Sequence, residues 1–133
     1  MATQSDLITC HVLDTTAGRP APNITVRLEG AETKGQPNSA AHTYTSVTDA
    51  DGRIELWEPA QGENSSLAET LRAIERKSQW RLTFDTEPYF GGGNNNNNIF
   101  FPEVVVVFGV NPGQNYHVPL LLSPFSYTTY RGS

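Results

Sequence analysis

The chain has 133 residues, of which 37% are hydrophobic and 17% are charged, and it carries a net charge of −5. This length suits one domain spanning residues 1–133, and the composition is typical of a folded protein. Fourteen acidic residues outnumber nine basic ones, which argues against nucleic acid as a partner because nucleic-acid binders usually carry a basic patch. No apolar segment approaches the roughly 20 residues that cross a bilayer, so we expect no membrane association.

Two features of the N-terminal region indicate the compartment. The first residues lack the basic and long apolar stretches of a signal peptide. Cys10 is the single cysteine, so the chain cannot form an internal disulfide. Both observations favour a reducing interior, and we expect the protein in the cytoplasm.

The chain begins with two segments in which apolar and polar side chains alternate, residues 7–14 and 23–30. A period of two is typical of β-strands that bury one face. His11 falls on the outer face of the first strand. The positions predicted to face inward are Ile8, Cys10, Val12, Ile24, Val26 and Leu28.

Residues 42–48 and 53–57 are rich in β-forming side chains and flank an Asp-Ala-Asp-Gly turn signal, so they predict a hairpin. A helical period then appears in residues 66–77. Ser66 can cap this segment, and Glu69, three residues later, completes a capping box. One short helix is therefore predicted.

The C-terminal half returns to strands, beginning with the alternating residues 79–86. The run GGGNNNNN at 91–98 predicts a surface loop. Further strands are predicted at 103–110, 115–122 and about 126–131. About eight strands and one short helix predict an all-β fold, a two-sheet and mainly antiparallel β-sandwich.

The histidines of the chain are His11, His42 and His117. Period two places His117 opposite the apolar set of the penultimate strand, just as His11 lies opposite that of the first. Leu13 and Leu121 share those outer faces, and exposed apolar patches often mark association surfaces. We therefore expect a site built where this face meets another subunit. The alternative is two unrelated surface histidines.

Pro119 lies inside the predicted strand 115–122. Because proline cannot donate to a ladder, it argues for an edge strand or a bulge at this point. The pattern alone does not resolve the conflict with a strand that otherwise looks buried.

Four segments carry a specific signature: CHVLDTTAGRPA at 10–21, TDADGR at 48–53, FFPEVVVVF at 100–108 and YHVPLLLSPFSYTTYRGS at 116–133. Together they resemble the 5-hydroxyisourate hydrolases of the transthyretin-like family. The closing Tyr-Arg-Gly-Ser is typical of the hydrolases, whereas transthyretin hormone carriers share the fold without this ending. The segment around 64–78 and the 91–98 loop depart from the family pattern without touching a matched motif.

The resemblance implies a transthyretin-like homotetramer with active sites in a channel where two dimers meet. The catalytic residues that it implies are His11, Arg53 and His117. The residues implied to bind the substrate are His11, Arg53, Tyr130, Arg131 and Ser133. It implies no metal and no other cofactor. His42 matches no family motif, and a three-histidine metal site would need it to converge on the other two.

The implied reaction hydrolyses a ring amide of 5-hydroxyisourate to 2-oxo-4-hydroxy-4-carboxy-5-ureidoimidazoline in urate degradation. Histidine suits the proton transfers because its ordinary pKa of ~6.5 lies near working pH. Arg53 follows a tight turn and could stabilise the developing oxyanion. Which histidine acts as general base is left open. The alternative function is a non-enzymatic small-ligand carrier of transthyretin type, and the alternative compartment is the peroxisome, where the upstream oxidase often resides.

Overall fold

The computed structural model describes residues 4–32, 41–91 and 99–133. Within these residues it contains two five-stranded β-sheets, one α-helix and one 3-10 turn. The two sheets share a single apolar core, so the predicted two-sheet sandwich is confirmed. The predicted Gly/Asn loop lies outside the described residues except for Gly91.

The described strands number ten rather than eight because several two-residue pieces join the sheets. In chain order they are β1 (Ile8–Asp14), β2 (Arg19–Pro20), β3 (Thr25–Glu32), β4 (His42–Val47), β5 (Arg53–Ile54), β6 (Glu58–Pro59), β7 (Ser78–Asp85), β8 (Glu103–Val110), β9 (Tyr116–Leu122) and β10 (Tyr127–Thr129). Sheet A has the order β10-β9-β1-β2, with β5 also paired to β1. Sheet B has the order β6-β4-β3-β7-β8.

The core is formed by the inward rows of both sheets. All six positions predicted to face inward in the first two segments are buried, and so are alternate residues of β7 and β9. Trp80 of β7 is fully buried, and Gly30 of β3 leaves the space that its ring occupies. The predicted strand faces are therefore confirmed, because one buried face per strand fixes the alternation.

The prediction of a hairpin at residues 42–57 is wrong. β4 pairs with β3 and β6 in sheet B, whereas β5 pairs with β1 in sheet A. The turn between them therefore crosses from one sheet to the other. Thr48 bonds back to Ile24, and four residues later Gly52 already accepts the Val12 N–H of sheet A at 2.8 Å. A turn signal specifies a chain reversal but not which sheet the next strand joins.

The pairing of β1 with β9 is parallel, unlike the other strand pairs of the described sheets. Its register runs without interruption from the Ile8–Tyr116 pair to the Asp14–Leu122 pair. The remaining pairs of the described sheets are antiparallel, so the prediction of a mainly antiparallel sandwich is confirmed.

The helix α1 (Leu67–Ala73) begins as predicted and ends four residues early. The predicted capping box is present: Ser66 accepts the Glu69 N–H at 3.2 Å, and the Glu69 carboxylate accepts the Ser66 N–H at 3.0 Å. Ile74 already has extended backbone angles, because the chain must turn to enter β7 at Ser78. In the described part of the chain, no helix combines the length and the apolar character needed to span a membrane.

Pro119 lies in β9, which has β10 on one side and β1 on the other, so of the two alternatives that the proline suggested, an edge strand is excluded. The carbonyl of His117 accepts the Gly132 N–H at 2.7 Å, and the backbone groups of Pro119, two residues on, point to the same side. The β9–β10 ladder ends at Thr129, whose hydroxyl donates to the Pro119 carbonyl at 2.8 Å. Pro119 has no N–H to donate, and it lies just beyond the last regular pair of the β9–β10 ladder.

Gly52 closes the crossing turn and provides a test of it. Its φ is +74°, and an added Cβ would collide with the carbonyl oxygen of Val12. Gly52→Ala should therefore lower the free energy of unfolding by the left-handed strain of about 1–2 kcal/mol plus about 1–3 kcal/mol of overpacking. Urea unfolding followed by circular dichroism measures this loss.

Gly18→Ala is the matched control, because Gly18 has a φ of +71° but nothing within 4 Å of an added Cβ. Gly18→Ala should lower the free energy of unfolding by the left-handed backbone strain alone. Equal losses for the two variants would show that the contact between the turn and β1 is not a constraint.

Candidate active site

The outer face of sheet A carries the three side chains predicted to be catalytic. Arg53 on β5 is the cross-strand partner of His11 on β1. His117 lies on β9, and its ring centroid is 6.3 Å from that of His11, with the ring planes tilted by 32°. The structure therefore brings these three residues together from segments far apart in the chain.

A cleft of about 260 Å³ opens on this side of sheet A; Arg53 and His117 line it, whereas His11 does not. Its walls include Asp6, Thr9, Arg53, Glu55, His117 and Ser133. The cleft is partly open to solvent.

Two residues lie close to the His117 ring, Thr9 at Nδ1 and Gly132 at Cδ2. The hydroxyl of Thr9, its Cα partner on β1, lies 2.8 Å from Nδ1. On the other side, Gly132 lies so close that an added Cβ would stand 2.8 Å from Cδ2. With Nδ1 and Cδ2 both occupied, the remaining edge of the imidazole, Nε2 and Cε1, points away from the sheet.

Both imidazoles have a pKa below the ordinary value of 6.5. Partial burial is the main cause for each, and the Arg53 guanidinium adds to it. The carbonyl of Asp51 and the carboxylates of Asp49 and Asp51 oppose the shift of the His11 pKa. The His11 ring further lowers, and Glu55 raises, the pKa of His117. Both rings are therefore neutral near pH 7, the form able to accept a proton.

The turn before β5 holds the backbone of Arg53. The Asp49 carboxylate accepts the Arg53 N–H at 3.0 Å and the Asp51 N–H at 2.9 Å. Within residues 4–32, 41–91 and 99–133, the guanidinium enters none of the ion pairs. Its donors are therefore available to a ligand in the cleft.

The last residues of the chain have different surroundings: Arg131 packs on Tyr116, whereas Ser133 lines the cleft. The Arg131 guanidinium lies 4.5 Å above the Tyr116 ring and donates to the Asn115 carbonyl at 3.3 Å, so it points toward the turn before β9. Ser133 lines the cleft. The Tyr130 side chain is 56% exposed and lies outside the cleft of this chain. Of the tail residues predicted to bind substrate, Ser133 alone lines the cleft directly.

Sequence reasoning missed Thr9, Asp6 and Glu55. Thr9 shares the outer face of His11 by simple alternation, which is a signal that it belongs to the site. Asp6 precedes the first strand, and its carboxylate accepts the Trp57 N–H at 2.8 Å, which fixes the N-terminal segment beside β5. Nothing in the sequence gives the contact of Thr9 with His117, because it depends on the parallel register.

His42 lies in sheet B, in a different sheet from the other two histidines. Its Nδ1 is 3.3 Å from both carboxylate oxygens of Glu63. Among the described residues, no three His, Cys, Asp or Glu side chains are grouped as metal ligands would be. His42 therefore has a local partner and does not converge on the cleft.

Comparison with known proteins identifies close relatives. The family model described as HIUase/Transthyretin family matches residues 8–132. The 5-hydroxyisourate hydrolase of Mus musculus is 41% identical over 135 residues, covering 100% of both chains. Among solved structures, Klebsiella pneumoniae 5-hydroxyisourate hydrolase has a TM-score of 0.62 at 25% identity, covering 95% of this chain and 98% of that one. Sea bream transthyretin in complex with thyroxine has a TM-score of 0.69 at 27% identity, with coverages of 96% and 95%.

The influence of Arg53 on the two imidazoles can be measured directly. Arg53→Gln removes a positive charge that disfavours imidazolium, so the pKa of both His11 and His117 should rise toward the ordinary value. Proton NMR titration of the imidazole C–H signals follows both rings.

Arg27→Gln makes the same change of charge on β3 in sheet B, where Arg27 pairs with Glu29, and serves as the control. It should leave both titrations in place. If Arg53→Gln left the pKa of both imidazoles unchanged, the electrostatic coupling described here would be wrong.

Proposed function

Because the chain belongs to the HIUase/transthyretin family, we propose that it is a 5-hydroxyisourate hydrolase acting in urate degradation. The observation that carries the proposal is the grouping of the His11 and His117 imidazoles with the Arg53 guanidinium on the outer face of sheet A. Paired proton-transfer groups beside a fixed cation are what hydrolysis of a ring amide requires. The full-length likeness to the Mus musculus hydrolase supports the same assignment.

The proposed reaction opens the ring of 5-hydroxyisourate at an amide and gives 2-oxo-4-hydroxy-4-carboxy-5-ureidoimidazoline. The two histidines carry out the proton transfers to and from water and the leaving nitrogen. The planar guanidinium of Arg53 binds the oxygen-rich ring edge and steadies the charge that develops on the carbonyl oxygen. The mechanism needs no metal, since an imidazole with a pKa near working pH can activate water directly.

The tail residues contribute the rest of the proposed binding site. Ser133 lies in the cleft wall and supplies a short polar side chain. Tyr130 is exposed in the single chain, so it reaches substrate only where another protomer closes the cleft. The resemblance also implies substrate contact for Arg131, whose guanidinium here lies over Tyr116.

We further propose that residues 1–133 form one domain that assembles as a homotetramer. The outer face of sheet A supports this, since Leu13 and Leu121 lie there half-buried beside the histidines. A second copy that covers this face would close the cleft, which is partly open to solvent in the single chain. Water is then excluded from the reacting groups, which strengthens their electrostatic interactions with substrate.

The alternative is a non-enzymatic carrier, and one observation favours it. Sea bream transthyretin in complex with thyroxine matches nearly the whole chain in fold. A carrier, however, has no use for two neutral imidazoles placed beside a guanidinium. The two readings differ in one measurable outcome, which is turnover.

A decay assay tests the proposed function. Urate oxidase generates 5-hydroxyisourate, and its ultraviolet absorbance is followed with and without the protein. Wild type should accelerate the decay, whereas His11→Ala and His117→Ala should each lose about 10²–10⁴-fold. Arg27→Gln is the surface control and should behave as wild type. No acceleration by wild type would favour the carrier.

Removal of residues 131–133 tests the role of the tail. The truncated chain loses the backbone pairing of Gly132 with His117 and the Ser133 side chain that lines the cleft. It keeps every described strand of both sheets. Most of the activity should vanish while the far-ultraviolet circular dichroism and the melting transition persist. Full turnover by the folded, truncated protein would show that residues 131–133 are not part of the proposed site.

A further inference from the structure

The Arg131 side chain has a defined position next to the core rather than in the cleft. Its guanidinium lies 4.5 Å above the Tyr116 ring, a distance at which a cation is attracted to an aromatic face. Tyr116 is the first residue of β9 and is only 6% exposed, so the core holds its ring in place. The guanidinium therefore rests on a fixed support.

Hydrogen bonds join Arg131 to the turn before β9. The Asn111 N–H donates to the Tyr116 hydroxyl at 2.7 Å, and this hydroxyl donates its own hydrogen to Gln114 Oε1 at 3.2 Å. The same oxygen accepts from Arg131 Nη2 at 3.4 Å, and the Asn115 carbonyl accepts from that nitrogen at 3.3 Å. Every donor in this set has an acceptor, so the ring and the turn together offer the guanidinium a matched seat.

The turn and the tail (residues 130–133) both reach the cleft. Asn115 lines it from the turn, and Ser133 lines it from the tail. Past the end of the β9–β10 ladder, the hydrogen bonds of the tail within the described part of the chain are those of Arg131 and one from the Gly132 N–H to the His117 carbonyl at 2.7 Å. The contacts of Arg131 are therefore a large share of what keeps Ser133 at the cleft.

From these contacts we infer that Arg131 is a positioning residue that docks the tail on Tyr116 and Gln114 so that Ser133 lines the cleft. Tyr116 and Gln114 then act on the site through Arg131. This role rests on the proposed hydrolase function for the importance of the cleft. It differs from substrate contact by the guanidinium, which would have to leave the Tyr116 ring to reach a molecule beside His117.

The size of the effect separates the two roles. A cation on an aromatic face at an exposed site favours the docked tail by about two- to fivefold in equilibrium constant. Loss of a charged hydrogen bond to substrate would cost about ten- to 150-fold. Substrate that contacts Ser133 prefers the docked tail, so a high substrate concentration restores docking. Weaker docking should therefore raise KM and leave kcat in place.

Hydrogen exchange of the Gly132 amide, followed by NMR in the free protein, measures docking without turnover. Arg131→Met keeps an aliphatic stem but removes the cation, and it should speed this exchange by about two- to fivefold. Arg27→Met makes the same change in sheet B, where Arg27 pairs with Glu29, and should exchange as wild type. Unchanged Gly132 exchange in Arg131→Met would overturn the inference.

Two substitutions of Gln114 test the seat without altering the core. Gln114→Leu removes the acceptor and should speed Gly132 exchange. Gln114→Glu keeps the acceptor and adds a negative charge beside the guanidinium, so it should slow the exchange. The slowing should disappear when Gln114→Glu is combined with Arg131→Met, because neighbouring partners are not additive. Slowing that persists in the double variant would show that Gln114 does not act through Arg131.

Tyr116→Leu tests the ring itself. Combined with Arg131→Met, it should speed Gly132 exchange no more than the stronger of the two single variants. Additive effects would mean that the ring and the guanidinium hold the tail independently, which contradicts docking of one on the other. Because Tyr116 is buried, the Gln114 pair decides the question if Tyr116→Leu does not fold.

The decay assay separates docking from substrate contact. Arg131→Met and Gln114→Leu should raise KM by up to about fivefold and retain the wild-type kcat, whereas Arg27→Met should match wild type in both. A kcat loss of about tenfold or more in Arg131→Met alone would place the guanidinium in the reaction and overturn the inference. Absence of turnover by wild type would refute the proposed function, whereas the exchange measurement judges the docking of the tail separately.

Discussion

The parallel pairing of β1 with β9 is the constraint on which the rest of the site depends. It sets Thr9 beside His117 and His11 beside Pro119, although these partners are separated by about 108 positions in the chain. Because the register is continuous over seven pairs, a slip of one residue would turn every outer side chain inward. The buried inward row of each strand prevents this slip, so the core that stabilises the sandwich also fixes the geometry of the outer face.

Around this pairing, two further segments are brought to the same face by different means. Arg53 arrives because the turn at residues 49–52 crosses from sheet B to sheet A and delivers β5 to the free side of β1. The tail arrives because Gly132 continues the β9–β10 register beyond the break at Pro119. The lack of a side chain at Gly132 allows backbone contact with the His117 ring edge. Each of these two segments thus contributes a residue, Arg53 or Ser133, to the lining of the same cleft.

The electrostatics of the face follow from partial burial together with one cation. Burial alone disfavours imidazolium, and Arg53 adds to that effect on both rings. Two neutral rings 6.3 Å apart can hold their protons differently, provided that each has its own hydrogen-bonding partner. The Thr9 hydroxyl lies 2.8 Å from His117 Nδ1, whereas the Asp51 backbone opposes the lowering of the His11 pKa.

Local pattern determined a large part of this structure. The alternation of segments such as 7–14 gave the strand faces, since a half-buried strand has only one way to hide its apolar side chains. The Ser66–Glu69 capping box gave the start of the helix, because both partners lie within one turn. The placement of His11 and His117 outside the core also followed from alternation alone. The family resemblance added Arg53 and the tail, which their local patterns would have left as solvated surface.

Strand partnership was decided only by the tertiary structure. The turn before Arg53 gave no indication that the chain changes sheets there, and Pro119 looked incompatible with the central position that it occupies. The contact of Thr9 with His117 was invisible for the same reason. The sequence by itself determined which face of each strand is buried, because that depends on neighbours two residues away. Which strands lie side by side depends on apolar rows more than a hundred residues apart finding one shared core, and only the folded chain specifies that.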